Sequence, residues 1–283
     1  MIKYPFLALL RPGSWIKNFF IFAPLFFARD VFDLSKLTSA CISFAIFSLI
    51  ASSVYILNDI ADLDHDREHI KKMHRPIASG RISIRTGLFI FFILICVAFT
   101  LSLIFVPQIT PLLVIYIILN ISYSNFLKNI AIVDVIIISF FYLIRLLVGG
   151  LAVDATISSW LILCTIFISL FLIIGKRIAE FNQKTKREVL SGYTLEFLHG
   201  FLYISAALSI ISYSLYTVLA LNSSLAVYSI FLVLLGIMRY CYIILTTHKC
   251  EYPEQALISD KIILISGICW VIMMYIIFYT TKI

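Results

Sequence analysis

The stretch YILNDIADLDHDREHIKKMHRPIASGR, residues Tyr55 to Arg81, packs five carboxylates and five cations into a chain that is otherwise largely apolar. The carboxylates are Asp59, Asp62, Asp64, Asp66 and Glu68; the cations are Arg67, Lys71, Lys72, Arg75 and Arg81. The stretch begins at the end of a hydrophobic run, Thr38 to Leu57, that is long enough to cross a bilayer. It therefore reads as a helix leaving a membrane. At about 100° per residue, Asn58, Asp59, Asp62 and Asp66 fall within an arc of roughly 100°, and Tyr55 lies in the same arc one turn earlier. Asp64 and Glu68 point elsewhere. Three carboxylates and an amide oxygen on one face repel one another unless a cation sits among them. All are hard oxygen donors, which suit a hard divalent ion. Magnesium usually takes one or two carboxylates and completes its shell with water and substrate phosphate, so the face suits a magnesium-bound diphosphate. One or two acids alone would read as a solvated loop that helps set topology; the one-face spacing and the basic flank read as a cation site.

Composition bounds the class. The chain has 283 residues, 62% hydrophobic and 13% charged, with a mean hydropathy of +1.05, more apolar surface than a soluble core needs. No alternation of polarity suggests a β-barrel. The net charge of +7 fits basic loops of a membrane protein; no basic stripe with interleaved aromatics appears, so no nucleic-acid partner is expected. The six cysteines form no C-x-x-C pair and read as free thiols.

Nine spans are expected, at about 15–29, 37–57, 86–105, 110–123, 131–150, 157–175, 199–220, 225–247 and 261–281. Long linkers are absent, so residues 1–283 read as a single integral-membrane domain. One set of loops holds Lys17, the cations from Arg67 to Arg85, Lys128, Lys176 to Arg187, and Lys261; the opposite set holds only Arg29, Lys36 and Lys282. That bias puts the N-terminus and the acidic motif on the cytoplasmic side and, after an odd number of spans, the C-terminus outside. Two charges, Asp134 and Arg145, lie inside span five, eleven residues apart, which places them on one face about 16 Å apart. Charges within a span are costly and mark either a function or a buried partner; both readings stay open. Spans one to four and five to eight share a layout, each half placing a polar motif after its second span.

The motif N-D-x-x-D-x-x-x-D, standing as Asn58, Asp59, Asp62 and Asp66, resembles the first motif of the UbiA-type intramembrane prenyltransferases. The sequence H-x-x-K-x-x-R-P-I-A-x-G (His69, Lys72, Arg75, Pro76, Gly80) narrows the resemblance to the decaprenyl-phosphate phosphoribosyltransferase branch. R-P-x-x-W-x-K-N-x-x-x-F-A-P is similar to the family's opening and brings in Lys17 and Asn18 at the cytoplasmic mouth. Tyr123, Lys128, Asp134, Arg145, Gly149 and Gly150 match a further pattern, and Pro253-Glu254-Gln255, Asp260 and Trp270 match the last. At the end of span six the chain departs from prenyl-diphosphate users: Gly175-Lys176-Arg177-x-x-Glu180 replaces a second aspartate motif, as in the phosphoribosyltransferase branch.

The resemblance implies an all-α polytopic membrane protein of the inner membrane, with about nine helices around a central cavity open to the cytoplasm. It implies transfer of 5-phosphoribosyl from phosphoribosyl pyrophosphate to a polyprenyl phosphate, releasing diphosphate, in synthesis of a lipid-linked sugar precursor. Magnesium would be held by Asn58, Asp59, Asp62 and Asp66, with the three aspartates catalytic. Lys72, Arg75, Lys176 and Arg177 are candidates for the 5-phosphate. Tyr55, Tyr123, Lys128, Asp134, Arg145 and Glu180 complete the expected substrate-binding set. Two other readings stay open: a UbiA-type prenyltransferase with an aromatic or other acceptor, and a transporter, since intramembrane charges also mark ion paths.

Overall fold

A computed structural model describes residues 4–68, 72–183, 187–221, 223–247 and 259–280. His69, Lys71 and Pro253 to Gln255, singled out above, lie outside the described residues. Among the described residues eleven α-helices follow one another, and no strand is found. They are α1 (Pro5–Leu10), α2 (Ala23–Phe27), α3 (Leu34–Ala61), α4 (Leu63–Glu68), α5 (Ile84–Phe105) and α6 (Thr110–Asn125), then α7 (Val133–Ala152), α8 (Ser159–Asn182), α9 (Leu195–Leu215), α10 (Ser224–Thr247) and α11 (Lys261–Thr280). The starts follow local chemistry. Asp33, Ser83, Ser158 and Thr194 each accept a bond from a backbone N–H of the first turn of α3, α5, α8 and α9, satisfying donors that a helix leaves unpaired. Asp260 does the same for α11 through Ile262 and Ile263, both at 3.1 Å.

Among the described residues, eight helices are long and apolar enough to cross a membrane. Their exposure shows what solvent they need. The α5 window has a hydropathy of 3.0 yet is only 11% buried, so its Phe89, Phe92, Val97 and Leu103 side chains require hydrocarbon around them. The α3 window is 61% buried and belongs to the protein core.

The first expected span, 15–29, departs from expectation. Residues Pro12–Phe22 form a 3₁₀ helix that runs into the short α2. Such helices seldom exceed four residues, and the docking partner explains this one. In 3₁₀ geometry side chains at i and i+3 eclipse, so Trp15, Asn18 and Ile21 form a single row. Trp15 Nε1 donates to Ser52 Oγ at 3.1 Å and Asn18 Nδ2 to Ser48 Oγ at 2.9 Å, while Ile21 is fully buried. Three 3₁₀ residues at ~2.0 Å match four α-helical residues at ~1.5 Å, about 6 Å each, so the row keeps step with the i, i+4 serines of α3. Eleven 3₁₀ and five α residues together still reach about 30 Å, the thickness of a bilayer core.

The chain divides into two compact units, Met1–Leu127 with Ile144–Thr156, and Lys128–Leu143 with Ile157–Ile283. They approximate the two halves expected from the sequence, except that α7 gives its first half to the second unit and its second half to the first. In the first unit α3 packs against α5, α1, α6 and the 3₁₀ segment. Gly149 of α7 allows the closest approach: a Cβ there would lie 2.1 Å from the Ile21 carbonyl oxygen. In the second unit α8 packs on α9 and α10 on α11. The Tyr240 ring of α10 lies where a Cβ on Gly175 of α8 would stand.

Candidate active site

The acidic face forms where α3 ends. Asp62 is the C-cap of α3 and α4 starts at Leu63, yet the helical register survives the break. Asp62 N–H donates to Asn58 O at 2.9 Å and Asp66 N–H to Asp62 O at 2.8 Å, so Asn58, Asp62 and Asp66 keep their i, i+4 spacing. Asp59 and Asp66 are both 1% exposed, whereas the Asp64 side chain is 95% exposed and only loosely paired with Arg67 at 3.9 Å.

Two guanidinium groups lie on the buried carboxylates. Arg75 Nη1 donates to Asp59 Oδ1 at 3.1 Å and to Asp66 Oδ2 at 2.5 Å, bridging them. Arg11 Nη2 donates to the same Asp59 Oδ1, and its guanidinium lies 5.2 Å from the centroid of the Tyr55 ring. Arg11 holds a left-handed backbone, φ 50°, between α1 and the 3₁₀ segment, and so turns its side chain back toward the end of α3. One buried apolar cluster of Leu9, Ile56, Ile77 and Ile82 fixes these backbones together. Leu9 precedes Arg11, Ile56 precedes Asp59, and Ile77 and Ile82 flank a tight turn whose Gly80 takes φ 73°.

The donor set suits a divalent cation. Asp59 Oδ2 is buried and has no hydrogen-bond partner among the described residues, a costly state for a carboxylate oxygen unless a ligand claims it. Asn58 Oδ1 accepts from Ser124 Oγ at 2.6 Å and keeps a second lone pair. No ready-made group of three metal-binding carboxylates, histidines or cysteines exists among the described residues. Arg75 stands between the two buried aspartates where a shared cation would.

The remaining expected residues fall into two further clusters. In the first unit Arg145, 3% exposed, donates from Nε to Asn18 Oδ1 at 2.8 Å and from Nη2 to the Tyr116 hydroxyl at 3.2 Å. Its guanidinium also lies over the rings of Phe47 and Tyr116, at 4.9 and 5.3 Å. In the second unit Arg177 donates to Asp134 Oδ2 at 2.8 Å and to Glu180 Oε2 at 2.5 Å. Lys176 and Arg187 each stand 3.9 Å from Glu180. The Tyr193 hydroxyl donates to Asp134 Oδ1 at 2.6 Å and accepts from Ile132 N–H at 2.6 Å. Burial, then the bond to Asp134, raises the Tyr193 hydroxyl above the usual tyrosine range, so it keeps its proton. The sequence places Lys176 to Glu180 at the end of span six, and in the structure they are helical residues of α8, which continues to Asn182. Asp134 and Arg145, the two charges of one span, turn out to bond into different clusters. Lys17, Lys72, Tyr123, Lys128 and Lys176 are half-buried.

Sequence reasoning missed Arg11, Ser124, Tyr116 and Tyr193 as site residues. Arg11 opens the R-P-x-x-W-x-K-N motif and Ser124 follows Tyr123 in a matched pattern, but neither motif marks its partner; Tyr116 and Tyr193 carry no local signal, their partners lying 29 and 59 residues away.

The comparisons with known proteins agree with this architecture. The chain is 29% identical over 276 residues to decaprenyl-phosphate phosphoribosyltransferase of Mycobacterium tuberculosis, covering 93% of this chain and 90% of that protein. It is 31% identical over 276 residues to the enzyme of the same name from Corynebacterium glutamicum, covering 93% and 83%. A UbiA homologue from Archaeoglobus fulgidus, solved bound to DMAPP and Mg2+, superimposes with a TM-score of 0.74 at 18% identity over 98% of this chain and all of that one. The model of the UbiA prenyltransferase family matches residues 18–256, from the row that docks on α3 to beyond α10, and the chain, an integral multi-pass membrane protein, belongs to that family.

Proposed function

We propose that the protein transfers the 5-phosphoribosyl group of phosphoribosyl pyrophosphate to a polyprenyl phosphate, releasing diphosphate. The observation that carries this reading is the buried Asp59–Asp66 pair with Arg11 and Arg75 upon it, which offers cation ligands and phosphate ligands side by side. Likeness over 93% of the chain to proteins named decaprenyl-phosphate phosphoribosyltransferase supports the same donor and acceptor classes. So does the second cluster, where Glu180 is engaged by Arg177 and no second pair of open aspartates appears among the described residues.

Asp59, Asp62 and Asp66, with the Asn58 amide oxygen, would hold magnesium, which when bound neutralises charge on the departing diphosphate. Arg11, Lys72 and Arg75 pair with phosphate oxygens through charge-assisted bonds. The nucleophile is an oxygen of the polyprenyl phosphate, already an anion, so no strong general base is needed. Lys17, Tyr123, Lys128 and Lys176 are proposed to contact substrate, and Asn18, Asp134, Arg145, Arg177 and Glu180 to position their neighbours. The protein resides in the inner membrane, with its N-terminus and the acidic site cytoplasmic; a reporter fused after Ile283 should prove external.

The test incubates purified protein with magnesium, a polyprenyl phosphate and radiolabelled phosphoribosyl pyrophosphate. Labelled lipid and released diphosphate are expected, and both should vanish with a chelator. Unlabelled lipid, together with transfer from geranyl or farnesyl diphosphate to an aromatic acceptor, would give the protein a different donor.

A further inference from the structure

We propose that Arg11 and Arg75 are resident counter-ions of the Asp59–Asp66 site, which an entering divalent cation displaces, so that metal entry itself frees the guanidiniums that bind the anionic ligand. This rests on the metal-binding reading above and concerns what the metal must compete with.

The charges come first. Two buried carboxylates face two guanidinium groups, and the half-buried Asp62 stands on the same face. Arg75 Nη1 contacts both aspartates at 3.1 and 2.5 Å and occupies the shared position between them. Arg11 takes Asp59 Oδ1 as well, leaving only Oδ2 of that carboxylate open. A divalent cation added without displacement would put four positive charges against three carboxylates, and the shared position between Asp59 and Asp66 is already taken by Arg75.

The backbones cannot simply withdraw. Leu9, Ile56, Ile77 and Ile82 hold α1, α3 and the turn after Arg75 in one buried cluster. The turn is further closed by Ser79 N–H to Arg75 O at 2.9 Å and Ile82 N–H to Pro76 O at 3.0 Å. Displacement is therefore a swing of side chains. Both have room for it, since the Arg11 and Arg75 side chains are 23% and 25% exposed while the carboxylates are at most 2% exposed. The released groups stay tethered beside the metal. They need anionic partners, and a metal-bound diphosphate brings several oxygens. Metal and anion should thus bind cooperatively, each removing the obstacle to the other.

The test measures Mn2+ binding by electron paramagnetic resonance on the detergent-purified full chain without substrate. Arg75→Gln is expected to bind Mn2+ roughly tenfold or more tightly than wild type, the loss of one charge-assisted competitor. Arg11→Gln should shift in the same direction and serves if the first variant unfolds. Arg81→Gln controls for general charge: Arg81 lies on the same turn but bonds to Ser79 and the His74 carbonyl, and should leave the affinity unchanged. Inorganic phosphate, a weak chelator, should tighten Mn2+ binding in wild type and do so less in Arg75→Gln. Equal or weaker binding by both folded Gln variants at positions 11 and 75, or equal tightening by Arg81→Gln, overturns the proposal while leaving the metal site standing, provided that Asp59→Asn abolishes the binding. No Mn2+ binding by any variant overturns the metal reading and this proposal together.

Discussion

Arg177 and Asp134, 43 residues apart in sequence, form a buried ion pair in which Nε donates to Oδ2 at 2.8 Å with both side chains at most 1% exposed. Asp134 also accepts the Tyr193 hydroxyl, and Arg177 reaches Glu180, so the pair is the centre of a satisfied polar network rather than an open anion site. A buried pair of this kind contributes little by its existence but costs much when one partner is lost, because the other charge is left buried and uncompensated.

Arg177→Ala should therefore lower stability by about 3–5 kcal/mol. Asp134→Asn with Arg177→Met, which removes both charges, should lose clearly less. Thermal unfolding in detergent reads both. An Arg177→Ala protein that unfolds at the wild-type temperature but has a raised donor KM would instead mark Arg177 as a direct phosphate ligand.

Alanine at Asp59, Asp62 or Asp66 should cut turnover roughly 100-fold or more with the fold intact, because each would remove a proposed ligand of the magnesium that neutralises the leaving group. Asp64→Ala should stay near wild type, because that side chain is 95% exposed and off the shared face. Comparable loss at position 64 would show that the i, i+4 register does not define the site.

Gly149→Ala should destabilise the protein by about 1–3 kcal/mol or more, since its Cβ would meet backbone, the Ile21 carbonyl oxygen at 2.1 Å, which has no rotamer with which to yield. Gly13→Ala, with nothing within 4 Å, should be neutral. The pair can be compared by yield and unfolding temperature.

Ser48→Ala and Ser52→Ala should each weaken docking of the 3₁₀ row by about 1 kcal/mol, leaving Asn18 and Trp15 without their acceptors. Hydrogen exchange over residues 12–22 should rise in the double variant while exchange in α8 and α9 does not. Unchanged exchange in the 12–22 segment would mean that apolar contacts such as Ile21 hold it without the serines.

The sequence by itself determined what depends on local period. Apolar runs of bilayer length had to become spans, Ser, Thr and Asp had to cap them, and Asn58, Asp62 and Asp66 had to share a face, because a helix repeats every 3.6 residues wherever it lies. The i, i+4 bonds through the break at Asp62 kept that face intact. Which charge meets which was decided only by tertiary structure. Nothing near Asp59 in sequence marks Arg11, 48 residues earlier, and nothing in span five says that Asp134 joins Arg177 while Arg145 joins Asn18 and two aromatic rings. The first span shows the same limit. Its composition predicts an ordinary helix, but the segment docks as 3₁₀, whose rise over three residues matches four α-helical residues and brings Trp15 and Asn18 level with Ser52 and Ser48. Partner choice among buried polar groups depends on packing over tens of residues, and burial is what makes each choice binding: an unmatched charge or hydroxyl in that interior has no water to fall back on.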